Sequence, residues 1–169
     1  MASSEKPDAI TLLREDHRTV EDLFKQFEKA SGDGRKRKLA EQICLELSVH
    51  SMIEEEIFYP ACAGKVDEDL LKESVVEHDS AKVLISEIMA GGPDDEFYDS
   101  KVKVLQEQIE HHIEEEEQPK KGMFAQAREA DIDMKALGAQ VAERKEQLLE
   151  QFKLGLPKPE LSAMTEAST

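Results

Sequence analysis

Apolar residues recur along most of this chain three and four positions apart, and Pro and Gly cut the pattern into five segments. Pro7-Asp8 opens the first, which carries Leu13, Val20, Phe24 and Phe27 on one face and runs to the loop Ser31-Gly32-Asp33-Gly34. The second runs from about Arg35 to Tyr59, with Ile43 and Leu47 on its apolar face, and meets Pro60. Asp67 fits the N-cap of a third, which ends at Gly91-Gly92-Pro93. Asp94 or Asp95 fits the cap of a fourth, with Leu105 and Ile109, ending near Gln118 before Pro119. Residues 120–130, with Met123 and Phe124, read as irregular. A fifth helix is predicted from near Asp131 to about Leu154, with Leu137, Val141, Leu148 and Phe152 as its stripe. Short connections between four amphipathic helices predict an all-α fold, an antiparallel up-down four-helix bundle with an additional C-terminal helix against it. Residues 1–154 form one domain in this reading, and 155–169 a mobile C-terminal tail.

Polar residues break the apolar stripes at a few positions. His17 interrupts the first stripe and His78 the third. His50 with Glu54 interrupts the second, and His112 with Glu116 the fourth. Both pairs have i, i+4 spacing, which stacks two side chains on one helix face. The arrangement repeats. His17 precedes His50 by 33 residues and His78 precedes His112 by 34, with apolar neighbours at matching offsets. The chain therefore reads as two helical hairpins of one design, each offering His and then His-x-x-x-Glu. A buried carboxylate without a partner costs several kcal/mol, so two of them on apolar stripes point to a cation. His111 is the rival to His112, but it shares its stripe with Val104 and Gln108, whereas His112 shares its own with Leu105 and Ile109. Glu77 and Asp79 lie off the His78 stripe and are expected at the surface.

Composition narrows the partners. The 169 residues carry a formal net charge of −16, which opposes nucleic acid and anionic membrane surfaces. No apolar run is long enough to span a membrane, and Met1-Ala2-Ser3-Ser4 begins no secretory leader, so the expected location is cytoplasmic. Cys44 and Cys62 are 18 residues apart in one helical segment, too far for a disulfide. No zinc-protease, thiolate, phosphate-loop or EF-hand motif is present. Imidazole with carboxylate and no thiolate suits Fe, Mn or Zn.

The set Glu15-Asp16-His17, His50 to Pro60 with Glu54-Glu55-Glu56, Glu77-His78-Asp79 and His111-His112-Ile113-Glu114-Glu115-Glu116-Glu117 resembles the hemerythrin HHE cation-binding family over roughly residues 8–152. The resemblance implies two iron ions with an oxo or hydroxo bridge. His17 and His50 would sit on one iron and His78 and His112 on the other, with Glu54 and Glu116 bridging. Oxygen-carrying members place another His one turn before the position of His78. Here that residue is Ser74, which argues against plain reversible oxygen carriage and leaves a ligand position open. Tyr59, five residues after Glu54, is a second group to watch near the metals. The implied function is binding or sensing of dioxygen, nitric oxide or peroxide. The alternatives are a peroxide-decomposing or nitric-oxide-processing enzyme at the same site, and an iron-storage or purely structural acidic bundle. Oligomeric state is not legible.

Overall fold

The Asp8 carboxylate accepts the Thr11 amide and starts α1 (Ala9–Lys29), about two turns before the residues that build the site. The fold is given by a computed structural model that describes residues 5–165. Residues 1–4, read above for a leader, and the last four residues of the predicted tail lie outside it. Helix α2 (Asp33–Ile53) continues through a π-helical turn (Glu54–Phe58) into the short α3 (Tyr59–Cys62). Asp67 caps α4 (Glu68–Ala90) through the amides of Asp69 and Leu70. Helix α5 spans Tyr98–Glu117, α6 Met123–Glu129, and α7 Met134–Gln151, the last capped by Asp133. No strand occurs among the described residues.

Helix α1 packs on α2, α2 on α4, α4 on α5 and α5 on α1, which closes the antiparallel four-helix ring. Helix α7 lies outside it against α1 and α2. Two apolar clusters fill the bundle. One end is built from Ile10, Leu13, Ile53, Phe58, Met123, Phe124 and Leu148, the other from Phe24, Ile43, Ile85, Tyr98, Leu105 and Ile109. Between them lies a buried layer of His and Glu: the stripes of α1, α2 and α4 pass from one cluster through the polar layer into the other, and that of α5 ends in the layer.

Three segments differ from expectation. Pro60 does not end the second helix. The Tyr59 amide reaches back five residues to the Glu54 carbonyl, and this wider turn sets Pro60 at the start of a new α-helical turn, where it needs no N–H. Residues 120–130 are not irregular, because 123–129 form α6. Gly122 makes the reversal into α6 possible, since a Cβ there would come within 2.5 Å of the Gln118 carbonyl and 2.8 Å of that of Glu116. Finally, neither Asp94 nor Asp95 caps the fourth helix; Asp95 holds a turn by accepting the Phe97 amide, and the helix begins at Tyr98. Cys44 and Cys62 are free and buried, one in each apolar cluster.

Candidate metal centre

The structure brings His17, His50, Glu54, His78, His112 and Glu116 into one buried layer, each at most 6 % exposed. Their donor atoms form two groups. Atoms of His17, His50 and Glu116 lie within 4.8 Å of one another, and so do atoms of Glu54, His78 and His112. Each carboxylate also reaches across. Glu54 Oε1 lies 2.8 Å from His50 Nε2, 3.3 Å from His78 Nε2 and 3.7 Å from His112 Nε2. Glu116 Oε1 lies 3.2 Å from both His17 Nε2 and His112 Nε2. His111 is outside this layer, 64 % exposed and paired with Glu115.

The outer ring nitrogens are all accounted for. His50 Nδ1 meets Asp16 at 3.0 Å, His78 Nδ1 meets Glu55 at 3.3 Å, His112 Nδ1 meets Glu77 at 3.0 Å and His17 Nδ1 meets Glu117 at 2.5 Å. Each of these carboxylates is the sequence neighbour of a site residue, yet each holds an imidazole of the next helix around the bundle: α1 to α2, the π turn to α4, α4 to α5, and α5 back to α1. Each has its own cationic or imidazole partner as well, Lys145 for Asp16, Lys82 for Glu55, Arg18 for Glu117 and His111 for Glu77. Carboxylates on Nδ1 fix the tautomer that leaves Nε2 as the inward lone pair. The expectation for Glu77 and Asp79 is thereby corrected. Glu77 is half-buried on His112 Nδ1, and Asp79 is fully buried.

The inward atoms are not satisfied by one another. His17 Nε2, His50 Nε2, both oxygens of Glu54 and Glu116 Oε1 are buried without a well-formed hydrogen bond, although they crowd together. His78 Nε2 and His112 Nε2 face each other at 3.2 Å. Buried polar atoms are rarely left so, and a convergent set of lone pairs is the donor arrangement a cation relieves. Burial raises the Glu54 pKa, but the imidazoles of His50 and His112 beside it lower it far more, so the group is anionic.

Tyr59 stands inside this layer. Its hydroxyl donates to Glu116 Oε2 at 3.2 Å and lies 3.3 Å from His78 Nε2 and 3.5 Å from His112 Nε2. Burial, then Glu116 and Glu54, push the phenol well above its ordinary pKa, so it stays protonated. Ser74, fully buried one turn before His78, lies beside this phenol. Phe124 of α6 stacks on His17 with ring centroids 5.7 Å apart and closes that end of the layer. On the opposite side a cavity of about 20 Å³ opens against His17, His50, His78 and His112, with Val20, Leu47, Ala81, Ile85, Ile109 and Ile113 in its walls.

The profile of the hemerythrin HHE cation binding domain matches residues 8–124. The chain belongs to that family. A crystal structure of an HHE domain-containing protein from Mycobacterium kansasii has the same fold. It superposes with a TM-score of 0.71 over 87 % of this chain and 93 % of that one, at 21 % identity. A curated DNA nickase from Nostoc sp. is 26 % identical over 106 residues, 63 % of this chain. The chain spans about a third of that relative's length, since the match covers 30 % of it. The HHE domain is a metal-binding one, and the orphaned buried donors above fit a metal.

Two features escaped the sequence reading, the ring of outer carboxylates and the Phe124 lid, whereas Tyr59 was expected near the metals but off the donor face. The carboxylates did leave a signal. Asp16-His17 matches Glu77-His78, and Glu54-Glu55 matches Glu116-Glu117, so the repeat extends to the acidic neighbours. Phe124 left none, because α6 has no counterpart in the other half.

Proposed function

We propose that this HHE domain is a non-haem di-iron protein that binds or senses a small ligand such as dioxygen, nitric oxide or peroxide. His17 and His50 would hold one iron, His78 and His112 the other, and Glu54 with Glu116 would be shared under an oxo or hydroxo bridge. The observation that carries the reading is the convergence of unpaired Nε2 and carboxylate atoms in a layer sealed by two apolar clusters. When bound, the irons supply redox-active Lewis-acid positions. The chain's own residues do the rest. The outer carboxylates aim the imidazoles, the apolar clusters exclude water, and Tyr59 holds a proton on its hydroxyl within reach of the donors. The cavity beside the imidazoles has room for about one water-sized molecule, which favours ligands of two or three atoms. A net charge of −16 opposes DNA as a partner. No helix among the described residues is long and apolar enough to cross a membrane. The two free thiols fit a reducing, cytoplasmic setting.

A second reading, a peroxide-decomposing or nitric-oxide-processing enzyme, is favoured by one observation. A protonated phenol at 3.3 Å from His78 Nε2 is placed to give a proton to a reacting ligand. Tyr59→Phe separates the two, because a binding protein keeps its ligand affinity whereas a phenol-dependent enzyme loses steady turnover of peroxide. The principal test is elemental analysis with the visible spectrum. The expected result is about two irons per chain and a spectral response to azide. Full iron occupancy in the Glu54→Ala, Glu116→Ala double variant overturns the assignment.

A further inference from the structure

The segment after α7, read in the sequence as a tail, returns across the bundle and binds one side chain of α4. Asp79, beside His78, accepts three successive backbone amides: Ser162 on Oδ1 at 2.8 Å, then Ala163 and Met164 on Oδ2, each at 2.7 Å. This capture leaves Asp79 fully buried. Lys82, one turn further along, completes the fastening. Its ammonium lies 3.0 Å from Glu55, 3.3 Å from Asp79 and 3.1 Å from the Ser162 hydroxyl, which also donates to Glu55. Glu55 is the carboxylate that holds His78.

Beneath the strap is a chamber of about 430 Å³. Its outer wall includes Leu156, Pro159 and Leu161, and its inner wall includes Ser51, Met52 and Lys82. Ser51 and Lys82 also line the small cavity against His50 and His78. Two side chains therefore stand between a roomy outer chamber and a cavity that touches the donor cluster. The rest of the layer is closed by Phe124 and the apolar clusters.

We propose that small ligands reach the donor cluster through this chamber, with residues 156–164 as its removable outer wall, Asp79 as the latch, and Ser51 with Lys82 as the partition. Molecules larger than a few atoms stop in the chamber; diatomic and triatomic ligands pass between Ser51 and Lys82. The identity of what arrives rests on the di-iron reading, whereas the route is a property of the fold and is testable without metal.

The experiment uses the metal-free full-length chain carrying Ser51→Cys and measures how fast iodoacetamide alkylates the introduced thiol. Cys44 and Cys62, both fully buried, give a slow background. Adding Asp79→Asn removes the charge that gathers three amides. Adding Lys82→Met removes the ammonium but keeps the stem. Each is expected to raise the labelling rate about fivefold or more, since local opening limits access. In Asp79→Asn, hydrogen exchange at Ser162, Ala163 and Met164 should speed up in parallel. Faster exchange with unchanged labelling in both variants overturns the proposal. Iron-loaded Asp79→Asn without the reporter substitution should then bind azide faster than wild type. An absence of iron binding would defeat the di-iron reading and leave the labelling result to decide the route.

Discussion

Each imidazole of the site has its outer nitrogen engaged by a carboxylate from a neighbouring helix, so single acidic residues outside the donor set control how well the donors are aimed. Asp16 is the most buried of the four carboxylates, 5 % exposed between His50 and Lys145. Asp16→Asn keeps the shape but weakens the grip on His50 Nδ1. Losses of about 10- to 100-fold in metal affinity are typical for such partners. Titration of the metal-free variant with Fe(II) or Co(II) checks this, and unchanged affinity refutes it. The same crowding sets a pH dependence. Burial pulls the His50 pKa down, but Glu54 and Asp16 push it up further, to about 10. Against the same burial, Glu116 and Glu117 raise His17, and Glu116 raises His112. These raised values stabilise the metal-free fold fully below the ordinary imidazole value of 6.5, and the contribution fades as pH climbs through about 10. The metal-free protein should therefore lose thermal stability across that window. The loaded protein, whose imidazoles have already given up the Nε2 proton to the metal, should stay nearly level. Parallel melting curves for the two forms against pH decide the point.

At the scale of the helices, α7 makes a close approach that can be broken without touching the donors. A Cβ on Gly138 would come within 2.6 Å of the Pro7 carbonyl and 3.0 Å of the Ala9 amide, both backbone atoms at the start of α1. Gly138→Ala should destabilise the fold by about 1–3 kcal/mol, the usual cost of overpacking. Iron content should be unchanged, since α7 supplies no atom to either donor group. Urea unfolding with metal analysis checks both halves of the statement. Helices also explain what was legible. His50 with Glu54 and His112 with Glu116 stood out because an α-helix puts i and i+4 on one face, and the bundle followed from matched stripes. Tyr59 was legible as a group near the metals but not as an inward one, because α-helical spacing turns a residue five positions after Glu54 away from its face. The π turn restores it, and nothing in Glu54-Glu55-Glu56-Ile57-Phe58 announces such a turn. Glu55 and Glu117 were hidden in acidic runs, which usually face solvent, and Glu77 by lying off the His78 stripe, so only tertiary packing shows that each meets an imidazole. The docking of 162–164 on Asp79 depends on contacts some 80 positions apart in the chain, which no local pattern records.

For the molecule as a whole, a net charge of −16 and a carboxylate-rich core make cations part of the stability balance. Removing metal leaves Glu54 and Glu116 in one buried layer with only the imidazoles beside them as counter-charges. A ligand held at a hundred times its dissociation constant stabilises by about 2.7 kcal/mol, so chelation should lower the melting temperature by at least several degrees. Added salt should recover part of that loss in the metal-free form by screening the negative surface, and do little for the loaded one. Differential scanning calorimetry at low and high salt measures this; an identical melting temperature with and without chelator refutes it. The make-up of the two donor groups has a further consequence, one for biosynthesis. His17 and His50 gather with Glu116 from the second hairpin, and His78 and His112 gather with Glu54 from the first. Neither hairpin contains a finished group. A nascent chain that has released only its first half displays His17, His50 and Glu54 without Glu116 or the second pair of imidazoles. Synthesis of the stretch from Glu54 to Glu116 takes on the order of seconds. Through that interval the polypeptide has no complete trap for a free metal ion, and the centre assembles only when the last helix of the ring arrives.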